Sequence, residues 1–187
     1  MESLNPTLWR TCKMLAGSKR IQLLRQLHEH PGKSVTALGE AVGIKRSAAS
    51  QELRRIQSRG LLKSKRHGVP LVYHMESDPQ VPSAAPLLKA IRVALKSYPT
   101  SRDLEMCTLA ANLANDRRIS IVRALLVSPL ASADLQLRLG ISADSLAQHL
   151  RTLIQNGFVK RNGNLVCLEV PKHPLAQALI KLVQQTL

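Results

Sequence analysis

The chain has 187 residues, 44% apolar and 21% charged, which excludes a disordered polymer and suits one large or two small globular domains. No apolar run reaches bilayer length and no basic-then-apolar leader opens the chain, so the expectation is a soluble, cytoplasmic protein with no membrane partner. Residues 1–98 hold 17 Lys/Arg against 6 Asp/Glu and residues 99–187 hold 10 against 6, an uneven +15 that selects polyanionic partners.

Apolar periodicity and helix-stop residues predict a first helix over Leu8–Leu15. Ser18 is the expected N-cap of a second, which runs to His30 before Pro31-Gly32. Ser34 is expected to cap a short third helix that ends near Gly43. The next stretch, GIKRSAASQELRRIQSRGLL (43–62), is the most informative. Ala49, Leu53 and Ile56 share one helical face, and Gly60 is the stop. Ser47, Gln51, Arg54 and Ser58 fall on the opposite face, flanked by Ser50 and Arg55, with Lys45 and Arg46 at the N-terminus. Cations there oppose the helix macrodipole, so an external anion is implied. Residues 61–75, LLKSKRHGVPLVYHM, read as two strands around a basic tip with Gly68 in the turn.

A Pro/Ser-rich link over 76–86 leads into an amphipathic helix at 86–98. The pattern then repeats. LANDRRISIVRAL (113–125) echoes LAGSKRIQLLRQL (15–27), ADLQLRLGI (133–141) echoes TALGEAVGI (36–44), and GISADSLAQHLRTLIQNGFV (140–159) echoes the basic stretch with most of its charge gone. Helices are therefore expected near 103–114, 116–128, 132–139 and 142–156, with a hairpin at 158–170 and a last amphipathic helix at 174–185. The helices at 86–98 and 174–185 both begin with proline, which suits a first turn. The expected organisation is a winged helix-turn-helix unit in 1–80, a connecting helix in 81–100, and a second unit with a C-terminal helix in 101–187. The fold class follows: mainly α with short β-hairpin wings, as tandem winged helix-turn-helix units plus flanking dimer-type helices.

The residues resemble the ArsR-like family of bacterial transcriptional regulators. In the first unit the resemblance rests on Gly43-Ile44, Ser50-Gln51-Glu52-Leu53, Gly60-Leu61-Leu62 and Val72-Tyr73. In the second it rests on Gly140-Ile141, Ala147-Gln148-His149-Leu150 and Gly157-Phe158-Val159, with a wing that lacks the tyrosine. Two departures stand out: family members are usually single-unit homodimers, and the third helix, VTALGEAV, lacks the Cys-x-Cys by which many sense metals. The resemblance implies sequence-specific binding of double-stranded DNA as a transcription regulator, on the nucleoid of a prokaryotic cytoplasm.

The expected DNA contacts are Lys45, Arg46, Ser47, Ser50, Gln51, Arg54 and Arg55 on the helix, and Lys63, Lys65, Arg66 and His67 at the wing tip. The second unit would add Gln148, Arg151, Lys160 and Arg161, but Ser142, Ala143, Asp144 and Ala147 stand where the first has Lys45, Arg46, Ser47 and Ser50. The first unit is thus the expected dominant reader. The competing reading is a tandem winged-helix module that binds protein in a chromosome-organising scaffold. A covalent pseudo-dimer, monomeric in solution, is expected over a homodimer with four winged helices.

No Gly-rich phosphate loop, H-E-x-x-H or Cys-x-x-Cys is present, so neither an enzyme nor a cofactor or metal is expected. His28 and His30 lie on different helix faces, and His149 has a polar surface role. Cys12 and Cys107 lie on corresponding first helices; a thiol pair or soft-metal site is one reading and apolar packing the stronger one, while Cys167 is expected in a strand core.

Overall fold

The structure, a computed structural model, describes residues 7–66 and 71–185. The expected tip residues His67 and Gly68, and the side chain of Arg66, lie outside the described residues. The first half comprises α1 (Leu8–Leu15), α2 (Ser18–Glu29), α3 (Val35–Val42), α4 (Arg46–Gln57), β1 (Lys63–Arg66) and β2 (Leu71–His74). Then come α5 (Ala84–Ser97), a 3-10 turn at Thr100–Arg102, α6 (Asp103–Asn112), α7 (Asp116–Val127) and β3 (Leu130–Ala131). The chain continues through α8 (Ser132–Leu139), α9 (Ala143–Gln155), β4 (Val159–Asn162), β5 (Leu165–Leu168) and α10 (Pro174–Gln185). This is a mainly helical winged helix-turn-helix fold with two small antiparallel sheets, β1-β2 and β3-β5-β4.

Local chemistry accounts for most boundaries. Ser34 Oγ accepts from Ala37 N at 3.2 Å and so caps α3, whose far end closes on Gly43 at φ +68°, a conformation open to glycine at little cost. Two expectations need correction. Ser18 is the first residue of α2 rather than its cap; extended Gly17 holds the cap position without a side-chain bond. Arg20 explains the difference, because its guanidinium folds back to donate to the Met14 and Lys13 carbonyls that end α1 and fills the space a side chain at 17 would need. Arg118 does the same in the second half, donating to the Asn112 and Ala111 carbonyls. The helix expected from Pro86 starts at Ala84, since Pro86 is tolerated among the first-turn N–H groups that lack acceptors.

β3 has no counterpart in the sequence reading. It adds a third strand by pairing Leu130 with Val166 and Ala131 with Leu165, whereas the first half has a single bridge, Ser34 to Val72. Cys167, expected in the core, is half-buried: Val166 takes the inward position and strand alternation turns its neighbour away.

The core is continuous across both halves. α10 packs along α5 and also touches α6 and α7, while α1 and α2 pack on α6. Leu87, Leu88, Ile91, Ala94 and Leu95 of α5 are buried, as are Leu175, Ala176, Leu179, Ile180 and Val183 of α10. Each large side chain buried this way contributes about 1.5–3 kcal/mol.

One polar cluster sits inside this core. Arg25 of α2 is 4% exposed and Asp103, the first residue of α6, is 6% exposed. Arg25 Nε and Nη2 bond the Asp103 carboxylate at 2.7–3.0 Å. The same guanidinium donates to Leu95 O at 3.1 Å, to Tyr98 O at 3.0 Å and to Glu29 Oε1 at 3.1 Å. It thereby caps α5 while it joins α2 to α6. Next to it, Tyr98 stacks on His173 at 5.1 Å and carries Arg102 on its ring at 4.1 Å. Leu175 N donates to His173 Nδ1 at 3.1 Å, and burial lowers the histidine's pKa, so the neutral ring caps α10.

Asp103→Ala strands a buried guanidinium and is expected to cost about 3–5 kcal/mol, a Tm drop of roughly 6–20 °C by thermal denaturation. A second outcome follows from His173 and His149, whose pKa values are both lowered, chiefly by burial. The unfolded chain binds these protons more tightly than the native one, so their stability contribution is complete above about pH 6.5 and shrinks as pH falls below it. His173→Asn keeps an acceptor for Leu175 N and should flatten the decline in Tm between neutral and mildly acidic buffer.

Candidate nucleic-acid interface

The helix-turn-helix of the first half is tight because two small residues meet there. A Cβ at Gly39 of α3 would lie 2.9 Å from Ile44 O and 3.3 Å from Ala49 Cβ. Ile44 N donates to Gly39 O at 2.9 Å, so the turn's backbone is satisfied. Below α4, Ala49, Leu53 and Ile56 are fully buried. The opposite face projects Lys45, Arg46, Ser47, Gln51 and Arg54 into solvent, while Ser50 is half-buried beside them. Lys45, Arg46, Gln51 and Arg54 make no side-chain hydrogen bond or ion pair among the described residues. Arg55 differs from these: it is 60% exposed and paired with Glu52 at 2.6 Å, and Glu52 also holds Arg20 at 2.6 Å. The charge on Arg55 is therefore partly offset and turned toward α1 and α2.

The wing is fixed to α4 where Gln57 Nε2 donates to Ser64 Oγ at 3.1 Å. Lys65 is exposed on β1. Lys63, expected at the tip, instead lies at the foot of the wing opposite His74, and bonds Glu76 Oε1 at 2.7 Å. Three residue steps at about 3.3 Å each put it roughly 10 Å from Arg66 along the strand. The Lys63 ammonium holds the Glu76 carboxyl below its ordinary pKa, with Lys65 adding a weaker pull from 3.9 Å.

The corresponding surface of the second half is built from different chemistry. Ser142 Oγ caps α9 by accepting from Ser145 N at 3.3 Å, and Asp144 lies exposed in the first turn. Both choices favour the helix. Lys45 and Ser47 occupy those positions in the first half, and Lys45 provides no side-chain cap. Gln148, Arg151 and Arg161 are exposed, and Lys160 pairs with Glu169 at 3.4 Å. Gln136 and Leu146 stand where Gly39 and Ala49 make the close crossing. His149 is half-buried, and Arg118 and Arg117 add to the burial that lowers its pKa.

Two of the three cysteines lie in the apolar core. Cys12 and Cys107 are buried and free, burial raising both pKa values, so each packs as a small apolar residue at neutral pH. Cys167 is also free. Among the described residues no group of three or more His, Cys, Asp or Glu could hold a metal ion, and no helix is long and apolar enough to cross a membrane. Sequence reasoning missed Arg20, Glu52 and Gln57, which position α4 and the wing. The signal was present for two: Arg20 recurs as Arg118, and Glu52 is the lone acidic residue of α4.

The family model of the MarR family, whose members are winged helix-turn-helix proteins, matches residues 17–69, from the start of α2 through α4 and into the wing. No curated protein and no solved structure matches the chain.

Lys45→Ser transfers the cap of the second half into the first. It is expected to raise stability by about 1 kcal/mol, a Tm gain of roughly 2–4 °C; an unchanged Tm would show that residue 45 does not act as a cap position.

Proposed function

We propose that the chain is a DNA-binding transcription regulator that reads double-stranded operator DNA with α4 and contacts phosphates with its wing. The MarR-family match over residues 17–69 supports DNA binding at the coarse level. The observation that carries the finer reading is the unpaired polar face of Lys45, Arg46, Ser47, Gln51 and Arg54 above a fully buried apolar face. Arg and Gln match the donor and acceptor patterns of guanine and adenine edges, and Lys and Ser suit phosphates. A helix that gives up a serine cap for lysine gains nothing internally from the exchange. Within winged helix-turn-helix regulators, the order of motifs favours our ArsR-like reading of the whole chain.

Two winged units in one chain, residues 1–80 and 101–187 joined through α5, form in this proposal a covalent pseudo-dimer. The packing of α10 on α5 and of α1 on α6 supports it, since faces that would seal a homodimer are covered within the chain. The first unit dominates DNA contact, because the second offers Gln148, Arg151, Lys160 and Arg161 around an exposed Asp144. A specific observation favours a scaffold or protein-docking role for the second unit: exposed Leu137 and Ile154 stand where the first has Glu40 and Gln57.

Fluorescence anisotropy on duplex DNA at several salt concentrations tests the reading. Affinity should fall steeply as salt rises, and a salt-independent Kd overturns it. Arg54→Ala should weaken binding more than Arg151→Ala by about 1–3 kcal/mol, whereas equal losses overturn the dominance of the first unit. Light scattering should return the monomer mass of 20.6 kDa; twice that mass overturns the pseudo-dimer.

A further inference from the structure

The described surface holds an open cleft of about 420 Å³ between α1, the start of α2 and the C-terminal end of α4, where it meets the edge of that helix's exposed face at Arg55 and Ser58. Trp9, Arg10, Lys13, Arg20, Arg55 and Arg59 line it. The volume is within the range of small-ligand sites. Five of these six side chains are cations, and the carboxylate that answers them, Glu52, is already shared between Arg20 and Arg55. Lys13 and Arg59 have no ion-pair partner among the described residues. Arg59 Nε is moreover buried without a hydrogen-bond acceptor. Buried donors are almost always satisfied, and the guanidinium of Arg59 has no acceptor among the described residues to compete with an anion bound in the cleft.

The cleft also contains an aromatic platform. Arg10 lies over the Trp9 ring at 5.1 Å from its centroid. An indole face is also a stacking surface for a nucleobase, which on this face would take the place of the Arg10 guanidinium.

The second half serves as an internal control. Cys107, Thr108, Ala111, Thr152 and Asn156 take the places of Trp9, Arg10, Lys13, Arg55 and Arg59. There Asn156 Nδ2 donates to Asn112 Oδ1 at 3.0 Å, so the position matching Arg59 is satisfied within the protein. Arg118 keeps the place of Arg20, but the other four cations, the aromatic ring and the unmet donor are all absent from these positions of the second half.

The geometry points to a binding site for a free nucleotide in this cleft, with the base on Trp9 and the phosphates on Arg59, Lys13 and Arg55. It does not depend on DNA reading by α4. Duplex DNA is the other source of the same phosphate chemistry, and the experiment separates the two. Trp9 is the sole tryptophan, so its fluorescence reports directly on the site. The full chain is titrated at low salt with ADP, GDP, adenosine and inorganic phosphate, with calorimetry in parallel.

A saturable response to the diphosphates is expected, weakened at least tenfold in Arg59→Asn, which installs the second unit's own residue. Inorganic phosphate should compete and adenosine alone should not bind. Arg46→Ala should leave the nucleotide response intact while it lowers duplex affinity, so the failure of one reading does not mimic the failure of the other. The proposal is overturned by no saturable response to ADP or GDP, by an Arg59→Asn protein with native melting that binds nucleotide as wild type does, or by Arg59→Asn impairing duplex binding alone.

Discussion

Arg25 and Asp103 are the contact on which the arrangement of this molecule depends. The residues are 78 positions apart, yet their buried bonds fix α2, the end of α5 and the start of α6 around one guanidinium. A buried charge pair yields little net stability over an apolar substitute, but a half-pair is severely penalised, so its effect is to exclude other arrangements. The consequence reaches α4. Lys19 of α2 donates to Val42 O at the end of α3, and Arg20 of α2 holds Glu52 of α4. The orientation of α4 relative to the second half is therefore set through α2. Arg123, in register with Arg25, has a buried Nε without a partner, so this anchor is not matched in the second half.

The two halves share an element order and diverge where solvent meets them. In the second, local rules are obeyed: a serine cap, an aspartate in the first turn, an asparagine pair between helices. In the first, those positions hold Lys45, Ser47, Met14 and Arg59. Departures from local preference that cluster on one exposed surface, while the core beneath stays regular, mark selection for something outside the fold.

The helices were legible because their signals are local. Ser34, Gly43 and Gly140 punctuate as caps and stops, and apolar spacing marked the buried faces of α4, α5 and α10. β3 was not legible, since two residues carry no period. Nor was the outward turn of Cys167, whose alternation phase is set by pairing with neighbouring strands. Gly17 displaced Ser18 as the cap because of how Arg20 folds, and no capping motif encodes that. At the interface, periodicity sufficed to identify the exposed face of α4. It did not reveal the pairing of Lys63 with Glu76, 13 residues apart, or the cleft where Trp9 meets Arg59. Such juxtapositions depend on packing between elements distant in the chain.

The pairing of α5 with α10 has a consequence in time. α5 ends at Ser97, but its apolar stripe is covered by a helix that begins at Pro174. At ribosomal rates of about 5–20 residues per second, roughly 4–15 s separate the two. Throughout that interval the nascent chain carries Leu87, Leu88, Ile91 and Leu95 without their final cover, attached to a strongly cationic first half in an environment rich in RNA. The strongly basic winged half is thus made first and must wait for the less basic half to complete it, so the vulnerable species in the life of this protein is its own incomplete chain.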